Sequence, residues 1–406
     1  MDEKGIIESL LNLGSSWFVS RLELDTQRST VHIYIEYSFD YVADLTSDSR
    51  FSIYDFRAER VWQHLSILQD NSYIHCRIPR FKNAKGKIES VPVPWADKGI
   101  RHTYLFENKV IETLSATHNQ TKTAILLRTS FDIVNNIMHS AVERGMSKRA
   151  LEQDSLYQLS IDEKSFGSGQ NYISVLVDPV GKRVLDVIQG RDVQATKKLI
   201  NTTLSKNQIA TVQKVSMDMW EPYMITTKEL MPQADIVHDM FHIVRYLNEG
   251  VDNTRKSESK SNPILIDSKY AMLKNPQNRT DSQKEKFFDV MDTNLKTADA
   301  WAFAETFKHI FDIKFEDIAK AWAYFDIWID QVNKSLIKPM IKVANTMQNH
   351  AIGIINNVKH KISNALSERF NGKIQTLNVI GRGYRKFENY RTAILFFNGK
   401  LDLLSL

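Results

Sequence analysis

At 406 residues the chain is longer than one hydrophobic core usually organises, so two or three domains are expected. A hydrophobic fraction of 42% and a charged fraction of 25% exclude a mainly disordered protein. The formal charge of +5 permits an anionic partner without demanding one.

The opening residues, MDEKGIIESLLNLGSSWFVS, begin acidic and lack an uninterrupted apolar run, so no signal peptide is expected. No later stretch approaches the roughly 20 apolar residues of a membrane span. A cytoplasmic protein without a membrane partner follows as the expectation.

Residues 20–100 read as a small, mostly antiparallel β module, with alternating runs at 30–37 (TVHIYIEY) and 72–77 (SYIHCR). Its Cys76 is the only cysteine of the chain, which excludes an internal disulfide. From Tyr104 the period becomes helical, and three short helices within about fifty residues suggest a helix-turn-helix. Residues 121–129 would form its first helix and Ser130 would cap the second. That second helix would offer Asp132, Asn135, Asn136 and His139 to base edges or phosphates. A helical linker between domains reads equally well from periodicity alone.

Strands return at 156–162, 171–177 and 182–188, the last two joined by the turn Asp178-Pro179-Val180-Gly181. Then come a helix at 192–204, a strand at 210–218, a helix at 221–230 and a strand at 234–237. This order gives a mixed α/β sheet with helices on its faces. After 251 the chain is polar, then helical and aromatic, with Trp301, Phe303, Phe307, Phe311, Trp322, Phe325 and Trp328. They read as the core of a helical subdomain rather than as a base-stacking surface. One final helix is expected over 343–375.

Strand phase singles out two carboxylates. In residues 157–162 the apolar side is Tyr157, Leu159 and Ile161, which leaves Asp162 on the polar phase, and Asp218 follows Val215-Ser216-Met217 in the same way. Two aspartates so placed would suit shared divalent cations such as Mg²⁺ or Mn²⁺, which bind through few carboxylates and keep water and phosphate oxygens as ligands. They would equally suit ordinary turns. On the last helix Asn364, Glu368 and Asn371 share a stripe, catalytic or merely solvated. Lys359, Lys361, Arg369, Lys373, Arg382, Arg385 and Lys386 around it suit a phosphate backbone, as they do a solvated face. Asp239 reads as the N-cap of a helix, with His242 three positions on and His238 just before.

These segments resemble the transposases of the ISL3 group of bacterial insertion sequences. The resemblance rests on SIDEKSF (160–166), GKRVLDVIQGR (181–191), VSMDMW (215–220), ADIVHDMFHIVRYLNE (234–249), NALSERFN (364–371) and GRGYR (381–385). It implies a ribonuclease-H-like domain of the DDE type whose sheet is interrupted by a helical insertion. The implied metal-binding triad is Asp162, Asp218 and Glu368, holding two divalent ions, with Asp239 and His242 as the supporting D-x-x-H motif. The implied activity is cleavage at the element's ends followed by strand transfer.

Upstream, VPVPWA (91–96) and RHTYLFENKV (101–110) also resemble the family, where they follow a zinc-binding module. Its cysteine pairs are missing, and Asn83 stands where one cysteine belongs, so a degenerate zinc-ribbon-like module without structural zinc is expected. The expected layout is this module at 1–100, the helix-turn-helix at 101–150, the catalytic domain at 151–252, the insertion at 253–342, and the last catalytic helix with a basic tail at 343–406. Partners would be terminal inverted repeats, target DNA and a second copy of the chain or a larger assembly, with the protein at the nucleoid when bound. The rival expectations are a silent DNA-binding regulator and a ribonuclease-H-like nuclease that only hydrolyses.

Overall fold

The computed structural model describes residues 3–38, 52–82, 86–152, 154–166, 171–362, 365–381 and 383–405. They form two compact units, Met1–Lys148 with Leu401–Leu406, and Arg149–Lys400.

The first unit begins with helix α1 (Glu3–Leu10) and strands β1 (Trp17–Asp25), β2 (Thr30–Tyr37), β3 (Ser52–Phe56), β4 (Arg60–Ile67), β5 (Asp70–Cys76), β6 (Pro79–Lys82) and β7 (Ile88–Ser90). One sheet runs β1-β2-β5-β4 and a smaller one β3-β6-β7. Pairing is antiparallel except between β2 and β5, so the module is mixed at its centre. Alternation along β2 and β5 sends Ile33, Ile35, Ile74 and Cys76 inward, where they meet Trp17, Trp62 and Trp95. Burial pushes the Cys76 thiol up to about 12, helped by Glu36 and Glu59, so it packs as a small apolar group. Asn83 lies outside the described residues.

Three helices follow, α2 (Tyr104–Thr117), α3 (Gln120–Leu126) and α4 (Phe131–Ala150). Thr103 caps α2 and Asn119 caps α3, each accepting a backbone N–H with its side chain. Ser130 Oγ accepts from Ile133 N at 3.2 Å, the cap expected of α4. Helix α3 ends at Leu126 rather than at 129, because Arg128 takes a positive φ and turns the chain. The tail at 401–406, expected with the catalytic part, belongs instead to this unit, where Ser405 N donates to Asn108 Oδ1 at 2.9 Å.

The second unit is built on five strands, β8 (Gln158–Ser165), β9 (Tyr172–Asp178), β10 (Arg183–Gln189), β11 (Lys214–Met217) and β12 (Asp235–His238), in the order β10-β9-β8-β11-β12. The first three are antiparallel neighbours, and β11 runs parallel to both β8 and β12. Helices α5 (Val193–Thr203), α6 (Lys206–Thr211) and α7 (Glu221–Leu230) connect them. Leu159, Ile161, Leu176, Val215 and Met217 pack with Leu199, Ile200 and Tyr223 in one core. The strand expected from 210 begins only at Lys214, because Ser205 and Gln208 form a capping box that nucleates α6. Strand β8 also runs past Asp162, which therefore lies inside it.

Helix α8 (Met240–Glu258) leads into α9 (Lys269–Leu273), α10 (Asp281–Met291), α11 (Lys296–Lys308) and α12 (Ile318–Lys334). Phe307, Phe325 and Trp328 are fully buried in this bundle, and Trp328 Nε1 donates to Phe303 O at 2.9 Å. Each such ring contributes roughly 1.5–3 kcal/mol by leaving water. The expected single last helix is three: α13 (Lys338–Asn349), α14 (Ala351–His360) and α15 (Ala365–Ile380). His350 and Lys361, neither in helical geometry, make the breaks, and α16 (Phe387–Asn398) closes the unit. Among the described residues no helix is long and apolar enough to cross a membrane.

Candidate active site

Parallel registers line up three aspartates. Ile161 pairs with Met217 and Met217 with His238, so Asp162, Asp218 and Asp239, each one residue on, stand level on three adjacent chain segments. In-phase residues of adjacent strands share a face. On Asp162, Oδ1 accepts from Glu163 N at 2.8 Å and Oδ2 from the Asn371 amide of α15. On Asp218, Oδ1 accepts from Met219 N at 2.6 Å. Both phases of β8 are buried, Ser160 and Asp162 as well as Leu159 and Ile161, so the polar phase faces covering helices rather than open water.

The first two turns of α8 supply the groups that face these aspartates. Asp239 caps the helix by accepting from Phe241 N at 3.1 Å. One turn on, His242 places Nδ1 3.1 Å from Asp218 Oδ2, off the line of a hydrogen bond, and Nε2 3.8 Å from Asp239 Oδ2. Arg245 Nη2 lies 3.5 Å from the same Asp218 oxygen.

Charge and burial oppose each other here. Burial raises Asp162, and the hydrogen bonds from Glu163 N and Asn371 only partly offset it. Asp218 also meets a burial penalty, but His242 and Arg245 hold it below the usual carboxylate range. Burial would lower His242, yet Asp218, Asp162 and Asp239 raise it above an ordinary histidine.

Glu368 sits in the first turn of α15, exposed, three positions before Asn371. Among the described residues no three His, Cys, Asp or Glu side chains are grouped closely enough to hold a metal ion. Asp162, Asp218, Asp239 and His242 nevertheless lie on neighbouring segments, with His242 beside Asp218 and Asp239, while Glu368 is exposed on α15. His238 is buried against Gly353, and burial lowers it to about 4.

The other residues singled out in the sequence are scattered. Asp132 and Asn136 are exposed on α4, Asn135 accepts from Gln120 at 3.2 Å, and His139 is half-buried. Lys359 is bound to Asp235 at 2.8 Å, and Lys361 donates to the carbonyls of Phe311 and Ile313, so both serve the fold. Arg369, Lys373, Arg385 and Lys386 are exposed, and Arg382 lies outside the described residues. The sequence marked Asn371 as part of a polar stripe, and its amide does reach Asp162, but it assigned no role to Arg245. Helical spacing was the available signal for Arg245, which follows His242 by three.

Three aspartates in or just beyond neighbouring strands thus meet the start of α8, within the stretch that a family model matches. Residues 159–394 match the family model of the ISL3 DDE transposases, described as transposase, and the chain belongs to that family. It is 25% identical over 354 residues to the transposase of insertion sequence element IS1557 of Mycobacterium tuberculosis, covering 80% of this chain and 78% of that protein. It is 24% identical over 254 residues to the transposase of IS1001 of Bordetella parapertussis, covering 60% and 61% of the two. Among solved structures, the Mos1 strand transfer complex matches at 11% identity with a TM-score of 0.16, over 52% of this chain and 77% of that one.

Proposed function

We propose that the protein is a DNA transposase that binds the terminal inverted repeats of its element, cuts the element's ends and joins them to target DNA. The observation that carries this reading is the level row of Asp162, Asp218 and Asp239 on adjacent parallel segments, with His242 and Arg245 set against Asp218. The sheet order, three antiparallel strands followed by two parallel ones, supports a ribonuclease-H-like catalytic domain. The bundle between α8 and α13 supports its reading as an insertion ahead of the last catalytic helix.

The donor set fits hard divalent cations, because the side chains are carboxylates and such ions bind through one or two of them with water and phosphate oxygens as the other ligands. Asp162 and Asp218 would hold the ions, with Glu368 joining as α15 presents its first turn. Mg²⁺ or Mn²⁺ bound there would supply activation of a water and stabilisation of the leaving oxygen at the scissile phosphate. Asn371 fixes the Asp162 carboxylate, while His242 and Arg245 hold Asp218 ionised and orient it. No covalent protein intermediate is required, since positioning and charge neutralisation supply the catalysis.

The first unit would bind DNA, with α3 and α4 as the helix-turn-helix and the exposed Asp132 and Asn136 of α4 facing the groove. Its β module would be a ribbon-like fold without zinc, held by its tryptophan core. Exposed Arg369, Lys373, Arg385 and Lys386 would follow the phosphate backbone. Two ends must be paired, so a homodimer or larger assembly is part of the proposal.

A second reading, a transposase-derived DNA-binding regulator, draws on the exposed position of Glu368 outside the aspartate row. Incubating the protein with pre-cleaved element ends and a target plasmid separates the readings. Joined products support the transposase, binding without joining supports the regulator, and nicking without joining supports a nuclease.

A further inference from the structure

Arg191 follows β10 just after Gly190, whose φ of +101° turns the chain at the strand's end. Its guanidinium lies between two rings, with Cζ 3.8 Å from the centre of Tyr172 and 4.4 Å from that of Trp220. Nη1 donates to Glu163 Oε2 at 2.7 Å, and the Arg191 carbonyl accepts from Trp220 Nε1 at 2.8 Å. Both Arg191 and Trp220 stand in stretches that carry the family resemblance, and the reaction described above gives neither a task.

The two partners of Arg191 flank the two aspartates. Glu163 follows Asp162 and points to the opposite face of β8. Its N–H is the donor to Asp162 Oδ1. Trp220 follows Met219, whose N–H is the donor to Asp218 Oδ1. Each carboxylate is thus oriented by a peptide whose own or next side chain is fastened to one guanidinium. A planar, five-donor cation can do this while stacked between rings, whereas a lysine cannot reproduce both contacts.

We propose that Arg191 is a positioning residue that sets the mutual orientation of the Asp162 and Asp218 carboxylates from the far side of the sheet, and so tunes their affinity for divalent cations. The inference rests on the reading of these two aspartates as metal ligands.

The test is direct Mn²⁺ binding to the full-length protein, followed by the electron paramagnetic resonance signal of free Mn²⁺. The wild type is compared with Asp162→Ala, Asp218→Ala, Arg191→Gln, Arg191→Lys, Glu163→Gln and the double variant Arg191→Gln/Glu163→Gln. Removing a residue that orients metal ligands typically costs 10–100-fold in affinity, so half-saturation should rise at least about tenfold in Arg191→Gln. Arg191→Lys should recover only part of the loss, and the double variant should be no worse than Arg191→Gln, because both break one coupling. Arg391→Gln controls for the loss of an ordinary ion pair, since Arg391 binds Asp186 with two bonds of 2.7 Å, and it should leave Mn²⁺ binding unchanged. If the wild type binds Mn²⁺ through Asp162 and Asp218 and folded Arg191→Gln binds it equally well, the positioning role is overturned alone. If binding in the wild type does not depend on the aspartates, the metal reading falls and takes the positioning role with it. Should Arg191→Gln fail to fold, the same shift in Glu163→Gln decides the matter.

Discussion

The imidazole of His242 lies between two carboxylates, with Nδ1 3.1 Å from Asp218 and Nε2 3.8 Å from Asp239. Burial alone would favour the neutral ring, and the surrounding aspartates reverse that preference. The ring therefore favours the ionised form of Asp218, and Asp218 in turn favours the protonated ring. In His242→Ala the burial penalty on Asp218 loses its main opponent, and the carboxyl titrates at higher pH. Single-turnover cleavage should fall about 10–100-fold, with the acidic limb of its pH profile displaced upward. An unshifted acidic limb would contradict the pairing.

Asn371 governs the other aspartate. Its amide donates to Asp162, whose burial already disfavours the ionised form. Asn371→Ala removes the donor, and Asn371→Asp sets a like charge against a buried carboxylate. Cleavage rates should fall in the order wild type, Ala, Asp, with the aspartate variant lowest by about tenfold or more. Equal rates for all three would remove Asn371 from the site.

Gly353 in α14 is where a side chain has no room, because an added Cβ would overlap the His238 ring. His238 ends β12 next to Asp239, and its carbonyl accepts from Asn357 at 2.9 Å. Gly353→Ala should destabilise the second unit by about 1–3 kcal/mol, the usual cost of overpacking, read from its urea midpoint. Cleavage should drop as well, because the displaced ring moves the start of α8. A fully stable, fully active variant would show that α14 moves aside freely.

Two buried histidines make stability fall in mild acid. His64 in the first unit and His238 in the second are both held near 4 by burial. An unfolded histidine titrates near 6.5, so the unfolded chain binds the proton first. The stabilisation is complete above about 6.5 and is lost as the pH falls towards 4, at about 2 kcal/mol per histidine between pH 7 and pH 5. Urea melts at the two pH values measure it. His64→Gln should flatten the dependence of the first unit by about that amount, and an unchanged slope would rule His64 out.

The second unit's elements were legible because their signals are local. The hairpin turn at 178–181, the cap Asp239 and the alternation along β8 need no distant partner to be read. Strand phase identified Asp162 and Asp218, but not that their register aligns them with Asp239, since parallel pairing joins segments far apart in sequence. Where the reading slipped, a competing signal was present: the capping box at Ser205 shortened β11, and breaks at His350 and Lys361 divided the last helix. Basic residues were the least legible. Lys361 is spent on the carbonyls of Phe311 and Ile313, and nothing in its neighbours distinguishes that from a phosphate contact.

In the proposed function Asp162, Asp218 and Glu368 cut DNA with divalent metal ions. Its most direct test is cleavage of end-labelled DNA carrying the element's terminus, with Mg²⁺ or Mn²⁺, by the wild type and by Asp162→Ala, Asp218→Ala and Glu368→Ala. Metal-dependent nicking at the terminus is expected of the wild type, lost in all three variants while each still binds the DNA. Undiminished nicking by any one of them, or binding without any cleavage by the wild type, would contradict it.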